Sequence, residues 1–239
     1  QWDGKECITP KRYKILFVPL FYDSSDYNEF LKNADDSFNF FIQKSPFSGC
    51  SNPEMHIEKL VAEADICKSA ESRCSGPHYY AEVGITDNAM FSDGCLGAVL
   101  NCIDSSSFRG KYDNIIVINN NARNNNGKTD KGICGVAFHI PGVISLTTFP
   151  SPCPDPSYQI AGGHEHGHLS GLYHVDGNVP GCQRPGGACR GPNAQDCSLP
   201  NEEKRKDIIT YCRINERYGP AAYAYFRDVV FKDYLEGCV

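Results

Sequence analysis

The chain has 239 residues, 41% hydrophobic and 22% charged, with a net charge of −6. That is enough apolar material for a sizeable core. The acidic balance, with no basic run, argues against nucleic acid or an anionic membrane as partner. No apolar stretch approaches the roughly 18 residues needed to span a bilayer.

The 13 cysteines run from Cys7 to Cys238 without a C-x-x-C pair. Dispersed cysteines in a chain of this size point to disulfides and so to an oxidising compartment. The opening residues QWDGKEC carry no signal peptide, so the expectation is a secreted protein whose leader has been removed. An odd count leaves at least one cysteine unpaired or paired outside the chain, and the spacing assigns no connectivity.

Residues 12–22, RYKILFVPLFY, are apolar and β-prone and predict a first buried strand. A turn cluster, Asp23 to Asp26, leads into a helical pattern in which Tyr27, Phe30, Leu31, Ala34, Phe38, Phe41 and Ile42 recur at three- and four-residue steps. Ser45-Pro46 ends it. Residues 55–62, MHIEKLVA, predict a second strand with His56 as an ordinary member. A second helix is expected over 89–103, preceded by an aromatic packing cluster at His78, Tyr79 and Tyr80. Residues 112–119, YDNIIVIN, give the clearest central strand, followed by a polar loop with a turn at Asn126-Gly127. Residues 134–149 predict two short strands split at Pro141-Gly142. A helix over about 157–170, capped by Ser157 or Asp155, comes next. Residues 175–203 are rich in Gly, Pro, Cys and Asn and read as a disulfide-held loop region. An amphipathic helix over 220–235 closes the pattern.

The chemistry lies in residues 162–177, GGHEHGHLSGLYHVDG. His164 and His168 are four apart, one above the other on a helix face, and can close on one Zn²⁺. Glu165 lies beside them, placed to hold a water and not to ligate. His166 points off that face and is left out of the metal site. Gly171 stands where the helix should stop, since Gly suits the left-handed turn that ends helices. That turn would bring His174 to the same metal. Three protein ligands leave a fourth position open, the pattern of a catalytic zinc.

H-E-x-x-H-x-x-G-x-x-H, as it stands from His164 to His174, resembles the zinc signature of the metzincin endopeptidases. The resemblance implies an α+β fold with an α/β-type upper subdomain. It would hold a twisted mixed sheet, two long helices and the zinc helix, then a small loop-rich, disulfide-bonded C-terminal subdomain ending in a helix. Residues 1–174 and 175–239 are the two parts of one catalytic domain. By the same resemblance, Gly135 to His139 is the sheet edge along which a peptide substrate binds as an added strand, although an ordinary hairpin explains it as well. Most members are made as zymogens.

The family's Met-turn lacks its methionine here. The best match is residues 207–212, DIITYC, with Ile209 at the usual Met position. Ile can supply an apolar floor beneath the metal at modest loss. Tyr211 is placed either to contact zinc or the oxyanion, or simply to pack. The subfamily, adamalysin-like or pappalysin-like, stays open.

The function implied is a secreted zinc endopeptidase with one catalytic Zn²⁺ on His164, His168 and His174, Glu165 as general base and Tyr211 as accessory. It would act as a monomer on a protein or peptide substrate, away from nucleic acid and membranes. No Ca²⁺ site is assigned. Two alternatives remain: a zinc-binding interaction or toxin-like protein without turnover, and a zinc hydrolase of a non-peptide amide.

Overall fold

The computed structural model describes residues 11–74, 94–120, 122–123, 134–139, 141–150, 155–175, 179, 189–210 and 216–238. Five strands form one mixed sheet: β1 (Tyr13–Leu20), β2 (Ile57–Val61), β3 (Asn114–Asn120), β4 (Gly135–His139) and β5 (Gly142–Phe149), in the order β2-β1-β3-β5-β4. β2, β1, β3 and β5 run parallel, and β4 pairs antiparallel with β5 on the edge. A mixed α/β architecture of this kind accounts for the apolar runs. Along β1, Tyr13, Ile15 and Phe17 enter one core while Leu16, Val18 and Leu20 enter the other. A strand buried on both faces has no polar alternation to show.

The 18-residue helix α1 (Tyr27–Lys44) makes the crossover from β1 to β2 and covers the first face with Phe30, Ala34, Phe40 and Phe41. The second face is covered by α2 (Cys95–Asp104), through Leu96, Val99 and Ile103, with a short turn over Lys68–Arg73. Disulfides Cys67–Cys102 and Cys74–Cys95 fasten these two pieces to each other. Cys50–Cys238 and Cys189–Cys197 are also bridged, and Cys134 is disulfide-bonded. Disulfides at this density fit an oxidising compartment. No helix among the described residues is long and apolar enough to cross a membrane.

Several expectations are corrected in detail. His56 is not a strand residue. It precedes β2, is buried, and sets its Nδ1 2.7 Å from the Tyr234 carbonyl oxygen. The helix after Pro156 takes neither Asp155 nor Ser157 as cap, because Pro156 fills that position. The last helix, α4 (Pro220–Tyr225), follows α3 (Asn201–Lys206) and passes into a π-wound turn over Phe226–Val230. It stops short of the expected residue 235. Tyr234 keeps its inward place from a turn and not from a helix, packing its ring edge-on to Tyr13 at 5.3 Å. The helix expected over 89–103 is seen from Cys95; its first turn, the His78–Tyr80 cluster and the Asn126-Gly127 turn lie outside the described residues.

Candidate metal centre

One helical run carries the motif. It is α-helical over Ser157–Gln159, π-wound over Ile160–Glu165 and α-helical again over His166–Leu169. This histidine helix lies against α1 and beneath the β4–β5 hairpin. At Gly162 it approaches the backbone of α1: a methyl group there would sit 1.9 Å from the Ser37 carbonyl oxygen. The helix ends as expected at Gly171, whose φ is +97°. That backbone turn is open to Gly at little strain and returns the chain toward the histidines.

The three imidazoles meet at their Nε2 atoms. The separations are 3.1 Å between His164 and His174, 3.2 Å between His168 and His174, and 3.3 Å between His164 and His168. What lies on the far side of two rings fixes their protonation. His164 Nδ1 donates to the Ile208 carbonyl at 2.8 Å, and His168 Nδ1 donates to the Leu172 carbonyl at 2.8 Å. A carbonyl only accepts, so in each neutral ring the proton sits on Nδ1 and the lone pair on Nε2. Burial, the neighbouring His168 and then, in the opposite sense, the Ile208 bond bring His164 down to about 3; burial lowers His168 as well. Both rings are therefore neutral at physiological pH.

Nitrogen lone pairs crowded this closely repel unless a cation lies among them. Bonds of about 2.0–2.1 Å at tetrahedral angles demand N···N separations of roughly 3.3 Å. The donor set, the neutral state of His164 and His168, and the spacing thus fit a metal ion, and the carbonyls on Nδ1 are the outer partners that orient metal-binding histidines. A second grouping among the described residues, Cys50, His56 and Cys238, does not fit, because its two sulfurs are bonded to each other.

Glu165 is buried beside this triad, and burial pushes its carboxyl up to about 8. It lies directly under the edge strand: a methyl on Gly135 would come 2.6 Å from Glu165 Oε1. The strand expected to receive a peptide therefore runs over the carboxylate expected to serve it. His166 faces the opposite way, as its helical position requires, fully buried with Nε2 3.1 Å from the Tyr13 hydroxyl.

The turn at residues 207–210 packs against the histidine helix. Ile209 is buried, with its Cδ1 2.2 Å from where a Gly167 methyl would stand. Asp207 shapes this turn, accepting from the Ile209 N–H at 2.9 Å and the Gly219 N–H at 3.1 Å. Tyr218 ties the same region to the histidine helix, donating to the Gly163 carbonyl at 2.8 Å. Tyr211 lies outside the described residues.

No protein-family model matches the chain, and no curated protein matches it. The site is therefore read from its own chemistry. Sequence reasoning placed the three histidines and Glu165 but missed the outer shell. Ile208 and Leu172 act through carbonyls, which every residue has. Asp207 had one signal, an Asp two residues before the expected floor position with backbone N–H groups to collect.

Proposed function

We propose that this chain is a zinc-dependent endopeptidase of the metzincin type, acting outside the cell. The observation that carries the reading is the convergence of three Nε2 atoms at 3.1–3.3 Å next to a buried, non-ligating carboxyl group. The turn at Gly171, the apolar side chain of Ile209 against the histidine helix and the edge strand above Glu165 support it.

His164, His168 and His174 would hold the ion. When bound, zinc supplies a Lewis acid that makes water acidic near neutral pH and favours the ionised form of a neighbouring carboxyl. Glu165 takes the proton from the attacking water and returns it to the leaving amine. The N–H and C=O groups along Gly135–His139 orient an extended peptide across the site by strand addition.

Glu165→Ala tests the assignment. The variant is expected to bind zinc as the parent does and to cleave an unstructured protein or a peptide library at least about 100-fold more slowly. A chelator abolishes the parent's cleavage. Should Glu165→Ala cut at the parental rate, Glu165 is not the base and the hydrolytic reading falls.

A further inference from the structure

The third ligand does not belong to the histidine helix and needs its own support. That support comes from a distant loop, residues 189–197, closed on itself by the Cys189–Cys197 bridge. Asn193 is fully buried there. Its Oδ1 accepts from the Tyr173 N–H at 3.0 Å and its Nδ2 donates to the Tyr173 carbonyl at 2.6 Å. One side-chain amide thus grips both polar groups of the residue before His174. The Tyr173 carbonyl and the His174 nitrogen share one peptide plane, so fixing the first fixes the plane from which the His174 side chain departs. The same loop holds the Tyr173 ring: the Arg190 guanidinium lies 4.6 Å from its centroid, and Gly191 packs so close that a methyl there would stand 2.4 Å from Tyr173 Cδ2. On the other side of His174, the Val175 N–H donates to the Ile209 carbonyl at 3.3 Å.

We propose that Asn193 is a positioning residue for the third metal ligand, acting on His174 through the Tyr173–His174 peptide. The inference rests on the three-histidine reading of the centre. Only an amide satisfies both groups. A carboxylate at this position would keep the bond from the N–H but set an oxygen against the Tyr173 carbonyl oxygen, and an alanine would leave both groups without this partner.

The test is a double-mutant cycle on zinc affinity, read by competition with a chromophoric chelator using zinc alone. Asn193→Ala is expected to weaken zinc binding about 10–100-fold, the range for outer partners of metal ligands. His174→Ala weakens it further. In the His174→Ala background, Asn193→Ala then changes affinity less than about twofold, because its route to the metal is gone. Asn193→Asp fills the same space and, if the alanine variant does not fold, is expected to weaken binding in the same way and with the same dependence on His174. Parental affinity in a folded Asn193 variant overturns the proposal, and so does an equal loss with and without His174, which would mark general loosening of the fold. If His174→Ala itself binds zinc as the parent does, the three-histidine centre fails, and that result is distinct from either.

Discussion

Replacing Gly162 by alanine should loosen the packing of the histidine helix on α1 and thereby the metal centre. An alanine Cβ would fall 1.9 Å from the Ser37 carbonyl oxygen and 2.8 Å from its carbon. Both are backbone atoms of Ser37, on the buried face of α1, so no side-chain rotation relieves the overlap. Real contacts of this kind stop near 3.0 Å, and the helices must part by about 1 Å. Overpacking of this sort destabilises by about 1–3 kcal/mol, and the rigid neighbour argues for the upper end. Helix propensity works the other way, favouring alanine by about 1 kcal/mol. The net is a loss of about 2 kcal/mol, or a fall in Tm of roughly 4–8 °C for a chain of this length. Metal–ligand distances tolerate only about 0.2 Å, so zinc affinity should fall at least about 10-fold with it. Thermal melting of the metal-free protein and chelator competition read the two effects. Gly49→Ala is the control, since nothing lies within 4 Å of a methyl there. A Gly162→Ala variant that melts at or above the parent refutes the reasoning.

The metal-free protein should lose stability in mild acid. His164 and His166 are held at about 3 when folded, chiefly by burial, whereas an unfolded histidine titrates near 6.5. Above that value both histidines are neutral in either state and add no slope. Below it the unfolded chain takes up protons that the folded one refuses, so stability falls toward pH 3 by up to about 1.4 kcal/mol per pH unit per histidine. Glu165, raised to about 8 by burial, works in the opposite sense and offsets part of the histidines' effect between pH 8 and 4.5. Urea midpoints between pH 7 and pH 4.5 measure this, and a flat profile contradicts it. At the 207–210 turn, Ile209→Met should cost less than about 1.5 kcal/mol and leave zinc affinity within about threefold of the parent, because volume is conserved. Ile209→Ala should cost about 2–5 kcal/mol by urea denaturation; equal stability of the two variants would show that Ile209 bears no packing.

Some of this molecule can be read residue by residue. The run at 115–118 is apolar because β3 lies at the centre of the sheet, buried on both faces. The three histidines declare themselves because helical spacing and a terminating Gly translate directly into geometry. Other features leave no such trace. The π winding over Ile160–Glu165 has no counterpart in the spacing of apolar residues. The pattern that extends past Val230 to Tyr234 looks helical, yet a turn at Phe231 delivers Tyr234 to the core just as well. Asn193 sits among Gly, Pro and Cys, where an asparagine reads as a turn former; only the folded chain reveals that its amide is spent on a backbone 20 residues away.

The bridge between Cys50 and Cys238 spans 188 positions. Any scission between those two points, at a surface loop for instance, leaves the fragments covalently joined. For the peptidase proposed above, cuts made by other copies of the same chain would be among such scissions. Here such damage would open the ring without shedding a piece, and it would surface only on a gel run with reductant.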